Sequence, residues 1–417
     1  MDDTTRRTGL SRRHLLAGMG AMSLMPVGTL ARSDPFSGEA LFGTVKAYAG
    51  MGVHETGSDA DRMVSVWQET MLRDLGYQVE TSTFNITRPV YTQCVLSADG
   101  APVEAAAQIP SPHLDAPVAG APGRDFAFAA VTGNTIDTAD NLAALHAAFG
   151  TGARAVIALC SHDSGRLQLG NVSETLPGFP VPVILAGGAD GNRLRHARTL
   201  SLTLAGRMEQ RTGTNVVARL ERRGRPYMII STPQSGWTQC GGERGPGLAY
   251  FQALAHAFAQ TADGPSLCLV SNSGHEFHNL GARHLHEKGV LPAPDQTRAW
   301  LHLGAGIACR DWRVGDGKMD LLDQPAQGVV MAPAGRVKDI GGLFQDTKTL
   351  TVPHQRFLVG ELIEVVAEGY PDAVGLVGRH SHHHVPGDTE ATTSPEILEL
   401  RAGPIRALAG LLAGTPL

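Results

Sequence analysis

Apolar and polar positions along the chain alternate between two periods. Apolar residues at helical spacing mark amphipathic helices, and short unbroken apolar runs mark buried strands. Glu39 to Tyr48 begins a helix. After the capped start Gly57-Ser58-Asp59-Ala60-Asp61, residues Met63, Val66, Trp67, Met71, Leu72 and Leu75 follow at helical spacing. Gly76 closes that helix, and Tyr77 to Phe84 alternates like a strand. From residue 86 to 208 the texture changes to Ala, Pro and Gly with little Lys. That stretch holds the strand-like runs Phe126–Val131, Gly152–Cys160 and Pro180–Ala186 and a helix over Asp140–Phe149. From Arg211 onward strand, loop and helix alternate again. Strands are expected over Asn215–Leu220, Tyr227–Ser231, Ser266–Ser271, Trp300–Gly304 and Val374–Val377. Helices are expected over Gly247–Gln260, Phe357–Glu368 and Ser394–Leu412, with a helix-like pattern after Leu280. This alternation predicts a doubly wound α/β sheet for residues 211–412.

The strand Ser266–Ser271 runs into Asn272-Ser-Gly-His-Glu-Phe-His278. Polar side chains at the carboxyl end of a strand are where open α/β sheets place their chemistry. His275, Glu276 and His278 put a base, a carboxylate and a potential metal ligand within four residues. The same stretch also reads as an ordinary polar strand-to-helix loop.

Composition narrows the classes. The 417 residues are 42% hydrophobic and 18% charged, with a formal net charge of −5. Nothing in that balance argues for nucleic acid or an anionic membrane as partner. The five cysteines, Cys94, Cys160, Cys240, Cys268 and Cys309, contain no CxxC pair, so a structural zinc knuckle is not expected. Residues 1–31 read as an export signal of twin-arginine type. Ser11-Arg12-Arg13-His14-Leu15-Leu16 precedes an apolar run to Leu30 that is short for a membrane span, and Thr29-Leu30-Ala31 suits cleavage. The expectation is a periplasmic or secreted protein without a membrane span in its mature form. The basic segment alternatively reads as a disordered tail. Oligomeric state is not readable.

The chain resembles the secreted di-zinc aminopeptidases, whose relatives include plasma glutamate carboxypeptidase and the glutaminyl cyclases. GVHETGSDADRMVSVWQETMLRDLGYQVE is similar to that family's opening segment and first helix. GARAVIAL and PVPVILA resemble its inserted protease-associated domain, TGTNVVARL its re-entry strand, and SGHEFHNLGARHL its Ser-Gly-Glu-Glu segment. HVPGDT, from His384 to Thr389, matches His-Thr-Pro-x-Asp-Thr. The resemblance implies a doubly wound mixed sheet of zinc-exopeptidase type with an inserted β-rich domain. Residues 32–85 and 209–417 would form the catalytic α/β domain, and residues 86–208 the insert. His113, Asp115, His162 and Asp163 of the insert read as surface groups.

The metal positions depart from the family's pattern. His-x-Asp is replaced by Thr232-Pro233-Gln234, the bridging aspartate by Glu243, the Glu-Glu pair by His275-Glu276, and a further aspartate by Gly304. The closing histidine is kept as His384. A di-zinc centre is therefore not expected, and the resemblance leaves at most one zinc, on Glu243, Glu276 and His384. His275 stands in the place of the general base, with Glu276 to orient it and Arg244 or His384 to stabilise negative charge. His278, His302, His380, His382 and His383 are near enough to substitute as ligands, but His380, His382 and His383 read more simply as a solvated loop. Cys240 offers a nucleophile or a small buried residue, and Trp237 a pocket wall or a packing residue. Three functions stay open: an exported hydrolase of a peptide or small amide bond, a metal-independent lyase or cyclase, and an inactive relative that binds a ligand.

Overall fold

In the computed structural model, residues 34–315 and 318–417 are described; the expected signal over 1–31 lies outside them. The first half contains α1 (Gly38–Ala49), α2 (Asp59–Asp74), β1 (Gln78–Ala98), β2 (Ala101–Val103), β3 (Ala105–Ala107), β4 (Val118–Gly120) and β5 (Phe126–Val131). It continues with α3 (Ala139–Phe149), β6 (Ala155–Cys160), β7 (Val183–Gly187), α4 (Gly191–His196) and β8 (Leu200–Leu220). The second half contains β9 (Tyr227–Pro233), α5 (Gly245–Gln260), β10 (Ser266–Asn272), α6 (Leu280–Glu287), β11 (Thr297–Leu303), β12 (Arg310–Gly315) and β13 (Lys318–Pro325). Then come β14 (Gly328–Ala332), α7 (Val337–Leu343), β15 (Thr349–Pro353), α8 (Leu362–Ala367), β16 (Ala373–Gly378) and α9 (Pro395–Ala413).

The main sheet runs β15-β14-β16-β11-β9-β10-β8-β1-β2. Its centre, β16-β11-β9-β10, is parallel, while β8 and β1 pair antiparallel at one side. Alternation along the strands assigns the two faces. Met228, Ile230, Leu267, Leu269, Ala299, Leu301, Val374 and Leu376 pack under α1, α5 and α9. Ile229, Cys268, Val270, Trp300 and Ala373 pack under α6 and α8. Strands buried on both faces read as unbroken apolar runs, and this is why the central strands were visible in the sequence. The helix starts are capped as the pattern suggested, with Ser58 Oγ accepting from Asp61 N at 3.1 Å.

Two expectations change in extent. The strand expected over Tyr77–Phe84 is the first part of β1, which continues to Ala98 paired throughout with β8. The helix expected over Phe357–Glu368 is only Leu362–Ala367, because Gly360 has a φ of 65° just before it. The β1–β8 ribbon leads from the main sheet to a second one, β3-β7-β6-β5, in which β5, β6 and β7 are parallel. One face of this second sheet packs on the ribbon through Phe126, Ile157, Leu200 and Leu202. The other joins a cluster that includes Trp237 and Phe277 of the main lobe. Trp237 is therefore a packing residue at the seam between the lobes, and its Nε1 donates to Asn171 Oδ1 at 2.8 Å. Among the described residues no helix is long and apolar enough to cross a membrane.

Candidate active site

The loops that leave β9, β10 and β16 at their carboxyl ends converge, joined by the start of α5. The loop after β10 turns at Gly274, with a φ of 87°. A Cβ there would lie 2.7 Å from Gly281 N and 2.8 Å from Phe84, so only glycine fits. This turn delivers His275 and Glu276 to opposite environments.

Glu276 is fully buried and held by three donors. Thr56 N donates to Oε1 at 3.0 Å, Thr56 Oγ1 to Oε2 at 3.0 Å, and Ser235 Oγ to Oε2 at 2.5 Å. Ser235 Oγ in turn accepts from Gly274 N at 2.9 Å. Glu276 thus fastens the loop to the segment before α2. The expectation that it orients His275, or shares a metal with Glu243 and His384, needs correction. Its carboxylate accepts three hydrogen bonds from other residues, and the groups of ligand atoms within 4.8 Å of one another, Glu243 with His383 and His384 and Cys240 with Glu243 and Asp388, do not include it.

The carboxylate beside His275 is Glu361, at the start of α8. Its Oε1 lies 3.3 Å from His275 Nδ1 and accepts from Asn272 Nδ2 at 2.8 Å. Glu361 stands 86 residues from His275 with no motif around it, inside the helix expected over Phe357–Glu368. Burial, and then Arg244, hold the His275 pKa well below 6.5, so the ring is neutral at pH 7.

Glu243 and Arg244 sit on the turn into α5, both buried. Arg244 Nε donates to Ser235 O at 2.9 Å, and Nη2 lies 2.8 Å from Glu243 Oε1. Burial pushes the Glu243 pKa up, but Arg244 and His384 outweigh it and hold the carboxyl well below its usual range. Cys240 is fully buried beside Glu243, at 3.8 Å, and burial pushes its thiol up, so it offers no thiolate.

The loop after β16 is not solvated as expected. His380 is buried 3.0 Å from Asp388 Oδ1, which also accepts from Gly242 N at 2.8 Å. Burial lowers the His380 pKa, but Asp388 and Cys309 together outweigh it and raise the value well above 6.5. His382 and His383 are half-buried. His384 is buried with a left-handed φ of 59°, a conformation that tight packing must hold. Its Nδ1 lies 3.0 Å from Leu169 O, to which Nδ1–H donates. Its Nε2 faces Glu243 Oε1 at 3.4 Å, the same oxygen that is ion-paired with Arg244 Nη2 at 2.8 Å.

A carboxylate oxygen and an imidazole nitrogen at this spacing can share a proton or a metal ion. Ligands about 2.0–2.2 Å from a tetrahedral metal ion stand roughly 3.4 Å apart, the spacing seen here. With His383 the set offers three protein ligands. Burial raises the Glu276 and Glu361 pKa values, while Glu243 is paired with the buried Arg244 guanidinium. Residues present therefore fit one metal ion. A second group, Cys240, Glu243 and Asp388, also brings ligand atoms within 4.8 Å of one another, while the positions that lack the expected ligands are engaged otherwise. Thr232 Oγ1 donates to Leu303 O at 2.9 Å, Gly304 has no side chain, and Gln234 is spent on Asp61 Oδ1 at 3.0 Å and Ser271 Oγ at 2.8 Å.

Residues 86–208 were expected to contribute surface groups. His113, Asp115 and Asp163 are indeed exposed, but Asn134, Asp137 and the segment 168–174 press on the site. Val172 N donates to Glu276 O at 3.0 Å, and His278 Nε2 lies 3.0 Å from Asp137 Oδ1.

The architecture is that of the zinc aminopeptidases. The chain is similar to a zinc aminopeptidase from Bacillus subtilis at 14% identity and a TM-score of 0.71, covering 91% of this chain and 96% of that one. An aminopeptidase from Aneurinibacillus sp. strain AM-1 aligns at 18% identity and a TM-score of 0.62, covering 92% and 95%. A peptidase M28 precursor from Shewanella amazonensis aligns at 14% identity and a TM-score of 0.62, covering 90% and 96%. No protein-family model matches the chain. No curated protein matches it either.

Proposed function

We propose that the protein hydrolyses a peptide or small amide bond with the help of a single metal ion. The observation that carries this reading is the group Glu243, His383 and His384, whose ligand atoms lie within 4.8 Å of one another, with Glu243 Oε1 3.4 Å from His384 Nε2. The similar solved structures include zinc aminopeptidases, which favours zinc. Bound there, zinc would polarise a carbonyl and lower the pKa of a bound water.

The chain's own residues supply the remainder. His275 is neutral and partly exposed, with Nδ1 on Glu361, so Nε2 is the nitrogen free to take a proton from water. Glu361 holds the ring and stabilises the imidazolium that forms, as a buried carboxylate does for a histidine base. Arg244 brings a fixed guanidinium beside Glu243, where it opposes negative charge growing on the substrate oxygen. A metal-free acid/base reaction is the second reading, favoured by the His275–Glu361 pair, which needs no ion to work as a base.

The test is to purify the chain without chelator, determine its metal content, and assay aminoacyl amides, dipeptides and small amides with and without zinc. One equivalent of metal with metal-dependent turnover is expected. Turnover by metal-free protein at an undiminished rate would leave only the second reading.

A further inference from the structure

Alternation along β10 turns Cys268, Val270 and, at the strand's end, Asn272 to one face. Cys268 and Val270 are buried in the apolar layer under α6 and α8. Glu361 is the residue before α8, so the end of this row meets it. Asn272 Nδ2 donates to Glu361 Oε1 at 2.8 Å, and the same oxygen lies 3.3 Å from His275 Nδ1. Asn272 and Glu361 are both buried. Asn272 Oδ1 is buried too and has no hydrogen-bond partner. A buried amide with one half unsatisfied costs stability, so knitting the fold does not explain this side chain.

The charge on Glu361 decides which nitrogen of His275 can act. An ionised carboxylate only accepts, so it takes Nδ1–H and leaves a lone pair on Nε2. A protonated carboxyl donates to Nδ1 instead. The neutral ring then carries its hydrogen on Nε2, which can no longer take a proton. Burial raises the Glu361 pKa and lowers that of His275, so the first proton gained by the pair goes to Glu361. A donor on the carboxylate opposes that step. His302 of β11, Arg244 at the turn into α5 and His286 of α6 also face Glu361 and lower its pKa. Among the described residues, Asn272 and His275 are the side chains that hydrogen-bond its carboxylate.

Resting on the reading that His275 is the base, we infer that Asn272 is a positioning residue of the reaction. Its amide N–H holds Glu361 ionised, and Glu361 in that form keeps Nε2 of His275 bare for the attacking water. The arrangement works with or without a metal ion.

Long-range nitrogen–proton correlation spectra of the full, metal-free chain read the tautomer directly, with the His275 signals assigned by their loss in His275→Ala. Wild type is expected to carry the proton on Nδ1 at pH 8 and to gain one on Nε2 as pH falls. In Asn272→Leu that change should come about one to two pH units higher. Asn272→Asp keeps the size of the side chain and sets a second carboxyl beside Glu361, so the change should move up there as well. The acid limb of kcat/KM for an aminoacyl amide should shift with it. A wild-type proton on Nε2 at pH 8 would overturn the inference without any variant. A change at the wild-type pH in Asn272→Leu or Asn272→Asp would overturn it and leave the base reading intact. Undiminished hydrolysis of the aminoacyl amide by His275→Ala would overturn the base reading and the inference with it.

Discussion

The loop after β10 and the loop after β16 both reach the carboxyl edge of the sheet, and both are rich in ionisable side chains. They differ in how completely those side chains are satisfied. In the first, Glu276 meets three donors and Ser235 ties the turn together. In the second, His384 Nε2 has no hydrogen-bond partner and faces Glu243 Oε1, which is ion-paired with Arg244. A buried polar group with all its bonds made holds a fold together, while one left without a partner is a place for something to bind. On the proposed reading the contrast gives Glu276 a structural part and His384 a chemical one, although both are acid/base residues at equivalent places in the topology. His275 stands between the two, fixed on one nitrogen and free on the other.

Substitutions sharpen this contrast. Replacing His275 with alanine should lower kcat by about 10²–10⁴-fold and leave zinc affinity near wild type; a comparable fall in zinc affinity would place His275 among the ligands instead. Glu276→Ala strands the Thr56 and Ser235 donors and should destabilise the fold by about 3 kcal/mol, read as a lower urea midpoint. Unchanged stability in that variant would break the comparison, because it would show that the three hydrogen bonds hold nothing.

The loop after β16 should also respond to pH. The folded pKa of His380 is raised above 6.5 by Asp388 and Cys309 despite burial. Its contribution to stability is therefore fully present below about pH 6.5 and lost as pH rises through the folded value. Unfolding midpoints measured across that range should fall less steeply for His380→Gln than for wild type. The smallest effect is expected far from the site. Ser58→Ala removes the α2 cap and should cost about 1 kcal/mol without altering zinc affinity or kcat.

Much of the architecture was legible in the sequence because burial on two faces leaves unbroken apolar runs in β9, β10 and β11. The turn at Gly274 and the place of His275 could be read for the same reason. The partnerships within the site could not. Glu361 approaches His275 only through the packing of α8, and no local spacing announces it. His380, His382 and His383 look like a solvated run because charge and polarity in a sequence say nothing of what covers them. Here β16 and the Leu169 segment do so. The contribution of residues 86–208 was hidden in the same way, since Leu169 reaches His384 through its backbone and Asn134 reaches His383 through an ordinary amide.

The most direct test of the account is the zinc affinity of His384→Ala set beside that of Glu276→Gln, which keeps the size of the side chain. The account predicts that wild type binds one equivalent, that His384→Ala loses it, and that Glu276→Gln keeps it within a few-fold. Loss in Glu276→Gln with retention in His384→Ala would contradict it.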